Sequence, residues 1–371
     1  MKDAATELFP MRNLKLKDRN YRGWRIVASG IVSLAALLTL QFLNRSSTPQ
    51  YSEMMVKAGR IMEEAIAAAR NHRPVASGAF DLNIDPNQTG LIGPEYSPLM
   101  TTLGQLEAKR STTNPNMAGL IAHLLYQAGV RAGDTIAIGS SASFPAFLVA
   151  SLAAAKAMDV DPVCILSLGA SSFGATDTDF DLLDLYAVLQ RSGICSHPPA
   201  AVSLGGEKDI GQDFEPEIRE RLIRKIHNEG IPFIHEPDLA RNVANRILIY
   251  ERNATGRMAA FVNSGGGYAN LGTSPLTLKL SPGLNTHMAL PRKEARGVLF
   301  EMAARAIPVI HLLYVKGLTQ RFGLPWDPIP LPHAVERAEF GGTRFGGLRF
   351  WLVCISYFVS LCVIVPLCRT K

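Results

Sequence analysis

Residues 135–172 read TIAIGSSASFPAFLVASLAAAKAMDVDPVCILSLGASS. Thr135–Ile138 is an apolar run with the length of a buried strand. Gly139-Ser140-Ser141-Ala142-Ser143 is a turn of small residues. Phe144–Met158 is Ala-rich and has the length of a helix. Val163–Leu168 is a second strand, closed by Gly169-Ala170-Ser171-Ser172-Phe173-Gly174. Strand, helix and strand in one direct succession predict a βαβ unit, because parallel strands need a crossover of about a dozen residues.

The pattern continues in both directions. Upstream, Pro115 opens a helix to Gln127, with Thr113 or Asn114 as its cap. Downstream, helices over Leu182–Gln190, Glu215–Asn228, Leu239–Arg252 and Arg292–Ala306 alternate with strands. Those strands cover Ala200–Leu204, Ile231–Ile234, Met258–Val262 and Pro308–Leu312. The expected fold class is α/β: a mostly parallel sheet with helices on both faces, flanked by one transmembrane helix at each end. Thr135–Phe147 and Ala259–Asn270 echo each other weakly, which leaves two related halves open. Earlier still, Tyr51–Arg70 has helical periodicity and stops at Arg73-Pro74. Residues 74–114 are rich in Pro, Gly, Asn and Thr and read as a long loop or short irregular elements.

Charge and hydropathy separate the ends from the middle. The chain has 371 residues, 47% of them hydrophobic, and a formal net charge of +6. The basic excess sits in residues 1–25 and 344–371, so 26–343 is left with 27 basic and 29 acidic residues. That is no nucleic-acid footprint, because a binding domain would carry the excess itself. Ile26–Leu43 and Phe350–Cys368 hold no charge over 18 and 19 residues. At 1.5 Å per residue each matches a hydrocarbon core of roughly 30 Å. Seven basic residues precede the first segment, which places the N-terminus in the cytoplasm and the middle domain outside it. The expected organisation is a basic tail 1–25, a span 26–43, a helix and irregular linker region 44–114, and an α/β domain 115–332. A linker 333–349, a second span 350–368 and a tail 369–371 complete it. Ser29/Ser33 and Ser356/Ser360 have the small-xxx-small spacing that lets helices approach in lipid. Gly323–Pro332 reads as a stiff spacer, or as a docking strip anchored by Trp326.

Chemistry is expected at the strand ends. In open α/β sheets ligands bind beyond the carboxyl ends of the strands. Those ends carry Ser140, Ser141 and Ser143, then Ser171 and Ser172, then Gly205, Gly206 and Lys208, then Asn263, Ser264, Gly265, Gly266 and Gly267. Small residues let a ligand approach the backbone, and helix N-termini favour a carboxylate or phosphate. Such turns are also Gly- and Ser-rich simply to turn tightly. Ala170-Ser171-Ser172-Phe173-Gly174 approaches a nucleophile elbow and makes Ser172 a candidate nucleophile, with Ser141 a second. Asp177, Asp209, His197, His235 and His287 are candidate partners for a triad, though no spacing selects among them. His311 reads as a hydrogen-bonded strand-end histidine. Cys164 and Cys195 make no disulfide framework. No P-loop, strict GxGxxG, CxxC or HExxH is present, so no nucleotide cofactor or metal is expected.

These residues resemble one known family, the poly-γ-glutamate system proteins. The resemblance rests on Thr113-Asn114-Pro115-Asn116, Ser140–Ala146, Ser167–Ala175, Ser203-Leu204-Gly205-Gly206 and Asn263–Gly267. It extends to Pro308–Leu313 and Gly323–Pro332. It implies an accessory membrane subunit of poly-γ-glutamate biosynthesis or export. Such a subunit would bind the anionic polymer or a γ-glutamyl end, and dock on the synthase or export subunits in the cell membrane. It transfers no catalytic residues, and without a P-loop any ligase activity must come from a partner. The alternative is an exported serine-dependent hydrolase or transferase acting on γ-glutamyl amide bonds.

Overall fold

The structure, a computed structural model, describes residues 24, 26–39, 49–73, 81–334 and 348–364. They fall into two units: the described parts of 49–340, and the helical segments near the two ends.

The larger unit begins with helix α1 (Pro49–His72), followed by strand β1 (Met100–Thr102), helix α2 (Leu106–Thr112) and helix α3 (Asn116–Gln127). Strand β2 (Thr135–Ser141), helix α4 (Pro145–Met158) and strand β3 (Asp161–Ser167) form the central βαβ unit. Then come β4 (Ala170–Ser171), the β5 (Thr176–Asp177) and β6 (Phe180–Asp181) hairpin, α5 (Leu182–Arg191) and β7 (Ala201–Ser203). They lead to α6 (Pro216–Asn228), β8 (Phe233–Ile234), α7 (Leu239–Asn253), β9 (Met258–Asn263) and α8 (Tyr268–Leu271). The unit ends with β10 (Gly283–Asn285), α9 (Val298–Ala304), β11 (Val309–His311) and α10 (Val315–Phe322).

Seven strands make one sheet in the order β10-β11-β9-β2-β3-β7-β8. All neighbours are parallel except β10 on β11. Successive strand residues enter opposite cores, as the pleat requires. Ile136, Ile138, Cys164, Leu166, Val202 and Ile310 face the larger core, under α1, α3, α4 and α5. Ala137, Ile165, Ala201, Phe261 and Val309 face the smaller one, under α7 and α9. Being covered on both sides is why the strands read as unbroken apolar runs.

Several expectations need adjustment. Helix α1 is not part of a linker region: Met55, Ala58, Met62, Ala65 and Ala69 form a buried stripe packed into the larger core. Residues 74–114, expected to be irregular, contain β1 and α2. The helix expected over Arg292–Ala306 is broken. A short 3-10 turn covers Lys293–Ala295, then Arg296 pairs with Gly272 and a Cβ at Gly297 would collide with the Asn270 carbonyl, so the chain is extended there and the α-helix starts at Val298. The segment from Gly323 is not a free spacer. Asp327 is bound by Arg110 at 2.5 and 2.6 Å, its N–H donates to Ser111 Oγ, and Asn87 holds Pro328 and Leu331. Cys164 and Cys195 are both free and buried.

In the smaller unit, residues 26–39 are helical and α11 runs Leu348–Ile364. Ser33 Oγ and Tyr357 Oη lie 3.0 Å apart and join the two helices. Among the described residues no helix is long and apolar enough to cross a membrane. The expected spans 26–43 and 350–368 both run past the described residues, which stop at 39 and 364. The basic tail 1–25 lies almost wholly outside them.

Candidate functional site

Strand β2 stands where the strand order reverses, with β3 on one side and β9 on the other. The βα turns after these strands therefore part, and a crevice opens at the carboxyl edge. A cleft of about 780 Å³ occupies it. Its floor is Ser141 from β2, Ser167 from β3, and Gly205, Gly206, Gly266 and Gly267 from the following turns. One wall is the segment from Thr101 to Lys109, and the other comprises Tyr268, Leu313–Lys316 and Trp326. A Cβ at Gly266 or Gly267 would meet nothing closer than 3.9 Å, so these glycines face open space. Gly205 is needed for another reason. Its φ is +74°, and a Cβ there would approach Gly169 N to 2.7 Å.

Lys109 is the distinctive group. It sits on α2 with 2% of its surface exposed, and its Nζ donates to Ser171 Oγ at 2.6 Å and to the Ser143 carbonyl. The ring of Phe144 lies 3.9 Å from Nζ. No carboxylate is paired with it among the described residues. Burial without a counter-ion lowers the Lys109 pKa to about 7. Ser171 is held by its strand: Ser143 Oγ accepts its N–H at 3.0 Å, and the flanking Ala170 and Ser172 amides donate to Leu99 and Thr102.

Beneath the floor lies a buried ion pair. Arg246 donates to Asp209 at 2.6 Å, and both are fully buried. Ser203 Oγ gives Asp209 a further hydrogen bond at 2.7 Å and Asn242 gives one at 3.0 Å, while Ser167 Oγ reaches Ser203 Oγ at 2.8 Å. Through Ser167 this network fixes one hydroxyl of the cleft. At the ends of β2 and β9 the accounting is incomplete. Ser141 Oγ, Ser264 Oγ, Asn263 Oδ1 and Asn270 Oδ1 are buried with no hydrogen-bond partner. Unpaired buried polar atoms are uncommon and favour a site that a ligand or water completes. His311 Nδ1 is 3.1 Å from Asn263 Nδ2, and burial lowers its pKa to about 4, so the ring is neutral.

The expected residues divide accordingly. Ser141, Ser143, Ser171, Gly205, Gly206, Gly266 and Gly267 do line one cleft. Ser140, Asn263 and Ser264 are buried behind it, and Gly265 packs on Ser141. Lys208 is exposed on the turn Glu207–Asp209 and is not part of the lining. Ser172 is misplaced as a nucleophile: its Oγ lies 3.2 Å from Met100 Sδ, outside the lining. The expected triad partners do not assemble. Asp177 pairs with Arg73, Asp209 with Arg246, and His197, His235 and His287 are exposed outside the lining. Sequence reading missed Lys109, Ser167, Tyr268, Lys316 and the closing position of Trp326. Glu107 in the first turn and Lys109 and Arg110 in the last are the only local mark of α2. Comparison of the chain with protein-family models, with curated proteins and with solved structures returned no match.

Proposed function

We propose that this chain is a membrane-anchored accessory subunit of poly-γ-glutamate biosynthesis or export, and that the cleft holds a carboxylate-bearing stretch of the polymer. The observation that carries the reading is the cleft itself: an open trough at the carboxyl edge, floored by glycines and hydroxyls, with Lys109 and Lys316 among its lining residues. Those are the donors a chain of carboxylates and amides requires. Glu207 and Asp213 lie on one side, so attraction is local and short in range rather than steered by net charge. The end segments support anchoring. Ile26, Ile31, Leu34, Trp351, Phe358 and Val359 are each more than half exposed on their helices, a surface suited to lipid. The resemblance of the strand-end motifs supplies the polymer's identity.

The test is calorimetric titration of the detergent-solubilised full chain with γ-linked glutamate oligomers. Saturable binding is expected, weakened about tenfold by Lys316→Glu through like-charge repulsion. No binding, or equal binding of a neutral γ-linked isoglutamine oligomer whose α-carboxyls are amidated, overturns the reading of the cleft. In cells, deletion of the gene is expected to change the amount or length of the polymer, and an unchanged polymer overturns the accessory role.

A further inference from the structure

We propose that Ser171 and Lys109 form an acyl-transfer centre, in which Ser171 Oγ attacks the carbonyl of an amide or ester lying in the cleft and Lys109 Nζ is its general base. This rests on the cleft being the ligand site, but not on the ligand being poly-γ-glutamate.

The geometry carries the assignment. A base must lie within about 2.6–3.2 Å of the hydroxyl it deprotonates, and Lys109 Nζ is 2.6 Å from Ser171 Oγ. The Ser143 carbonyl can only accept, so it takes one N–H of Lys109. In the amine form the nitrogen lone pair is then free to accept from the Ser171 hydroxyl. The Phe144 ring covers another side of the nitrogen and keeps it desolvated. Both side chains line the open cleft, so the serine is reachable. Gly104 keeps it so. A Cβ there would stand 3.1 Å from both Ser171 Oγ and Lys109 Cε and 2.6 Å from the Ser172 carbonyl. The turn behind the serine is strained, with Phe173 at φ +64°, a conformation that non-glycine residues adopt at a cost and that clusters at functional sites.

A purely structural lysine would explain the two hydrogen bonds. It would not explain why an amine is buried with no carboxylate beside it, since an unpaired buried cation is costly and a neutral one is not. The absence of a counter-ion keeps the amine uncharged near neutrality, which is the state a base needs.

The steps balance. As Ser171 Oγ bonds to the carbonyl carbon, its proton passes to Lys109 Nζ. The ammonium then gives that proton to the leaving amine or alkoxide as the C–N or C–O bond breaks, which leaves an acyl-serine. Water, or an acceptor amine, attacks the acyl carbon and yields its proton to Lys109. The Oγ–C bond breaks, and the proton returns to Ser171. No metal, oxidant or reductant enters.

The test is labelling of the full chain with a fluorophosphonate, read by intact mass and peptide mapping between pH 5.5 and 9. One adduct on Ser171 is expected, forming faster as pH rises through about 7. Ser171→Ala abolishes it, whereas Ser172→Ala does not. Lys109→Arg keeps a donor but cannot act as a base, so labelling slows by ~100-fold, whereas a merely structural lysine would be replaced without that loss. Wild-type protein that stays unlabelled at pH 9, or Lys109→Arg that labels at the wild-type rate, overturns the proposal. Should Lys109→Arg not fold, Ser171→Cys supplies the readout. Its alkylation by iodoacetamide should show a thiol titrating below the ordinary cysteine range, and an ordinary cysteine profile overturns the proposal. Labelling without polymer binding removes the polymer reading and leaves the centre intact. Polymer binding without labelling does the reverse.

Discussion

Lys109 is the residue on which most turns, and its titration gives a stability signature of its own. In the unfolded chain its amine binds a proton up to the ordinary lysine value of 10.5, but in the folded chain only up to about 7. Between those two pH values the unfolded state holds more protons, so stability rises with pH across that window. The contribution is fully present above the unfolded value and is lost as pH falls through the folded one. Lys109→Met removes the group, so the variant should be the more stable protein at pH 7, with an advantage that shrinks towards pH 10. Urea midpoints for the two proteins at both pH values check this, and parallel midpoints would mean that the lysine is not buried as a free amine. Nothing in the local sequence announces this residue. Lys109 lies in Leu106–Thr112, a run of seven residues too short to show a helical period, and its type is one that normally stays at the surface.

At the scale of elements, the carboxyl edge is held together by a polar clasp rather than by packing alone. Asp209 follows β7, Ser167 and Ser203 end β3 and β7, and Asn242 and Arg246 belong to α7 on the far face of the sheet. Asp209 thus ties the cleft floor to the helix layer below. Asp209→Asn removes the charge opposite a fully buried guanidinium, and breaking such a pair costs about 3–5 kcal/mol. Denaturation of the variant should show that loss, together with weaker binding in the cleft, because Ser167 loses its fixed position. A loss below about 1 kcal/mol would mean that Arg246 finds another partner. Most elements were readable: α3, α4, α5, α6 and α7, with β3, β7, β9 and β11, appear within a residue or two of the expected bounds, and β2 starts as expected at Thr135 but continues three residues further, to Ser141. The strands are apolar runs and the helices have a long apolar stretch or a helical apolar period, and both kinds are bounded by turn residues. Elements that were not readable, such as β1, β4, β10, α2, α8 and α10, are short, and they form because the folded body supplies partners for them.

For the whole molecule, buried neutral histidines set the acid limit. Burial lowers the pKa of both His123 and His311 to about 4, against 6.5 for the unperturbed ring. Between pH 6.5 and 4 the unfolded chain takes up protons that the folded chain refuses, so stability falls as pH falls. His311→Asn should flatten part of that fall in a series of thermal melts from pH 7 to 4. An unchanged slope would mean that His311 is protonated in place. The sequence by itself determined the α/β class, the parallel sheet covered on both faces and the gathering of Gly- and Ser-rich turns at its carboxyl edge, because period, run length and turn composition are local properties of the chain. Tertiary structure alone decided which hydroxyl matters. Ser141, Ser171 and Ser172 are equivalent as letters in a turn, and only the folding of a separate short helix across the sheet edge brings Lys109 to Ser171, leaving Ser172 against Met100. Contacts between residues 62 apart in the chain depend on how the layers stack, and no local pattern encodes them.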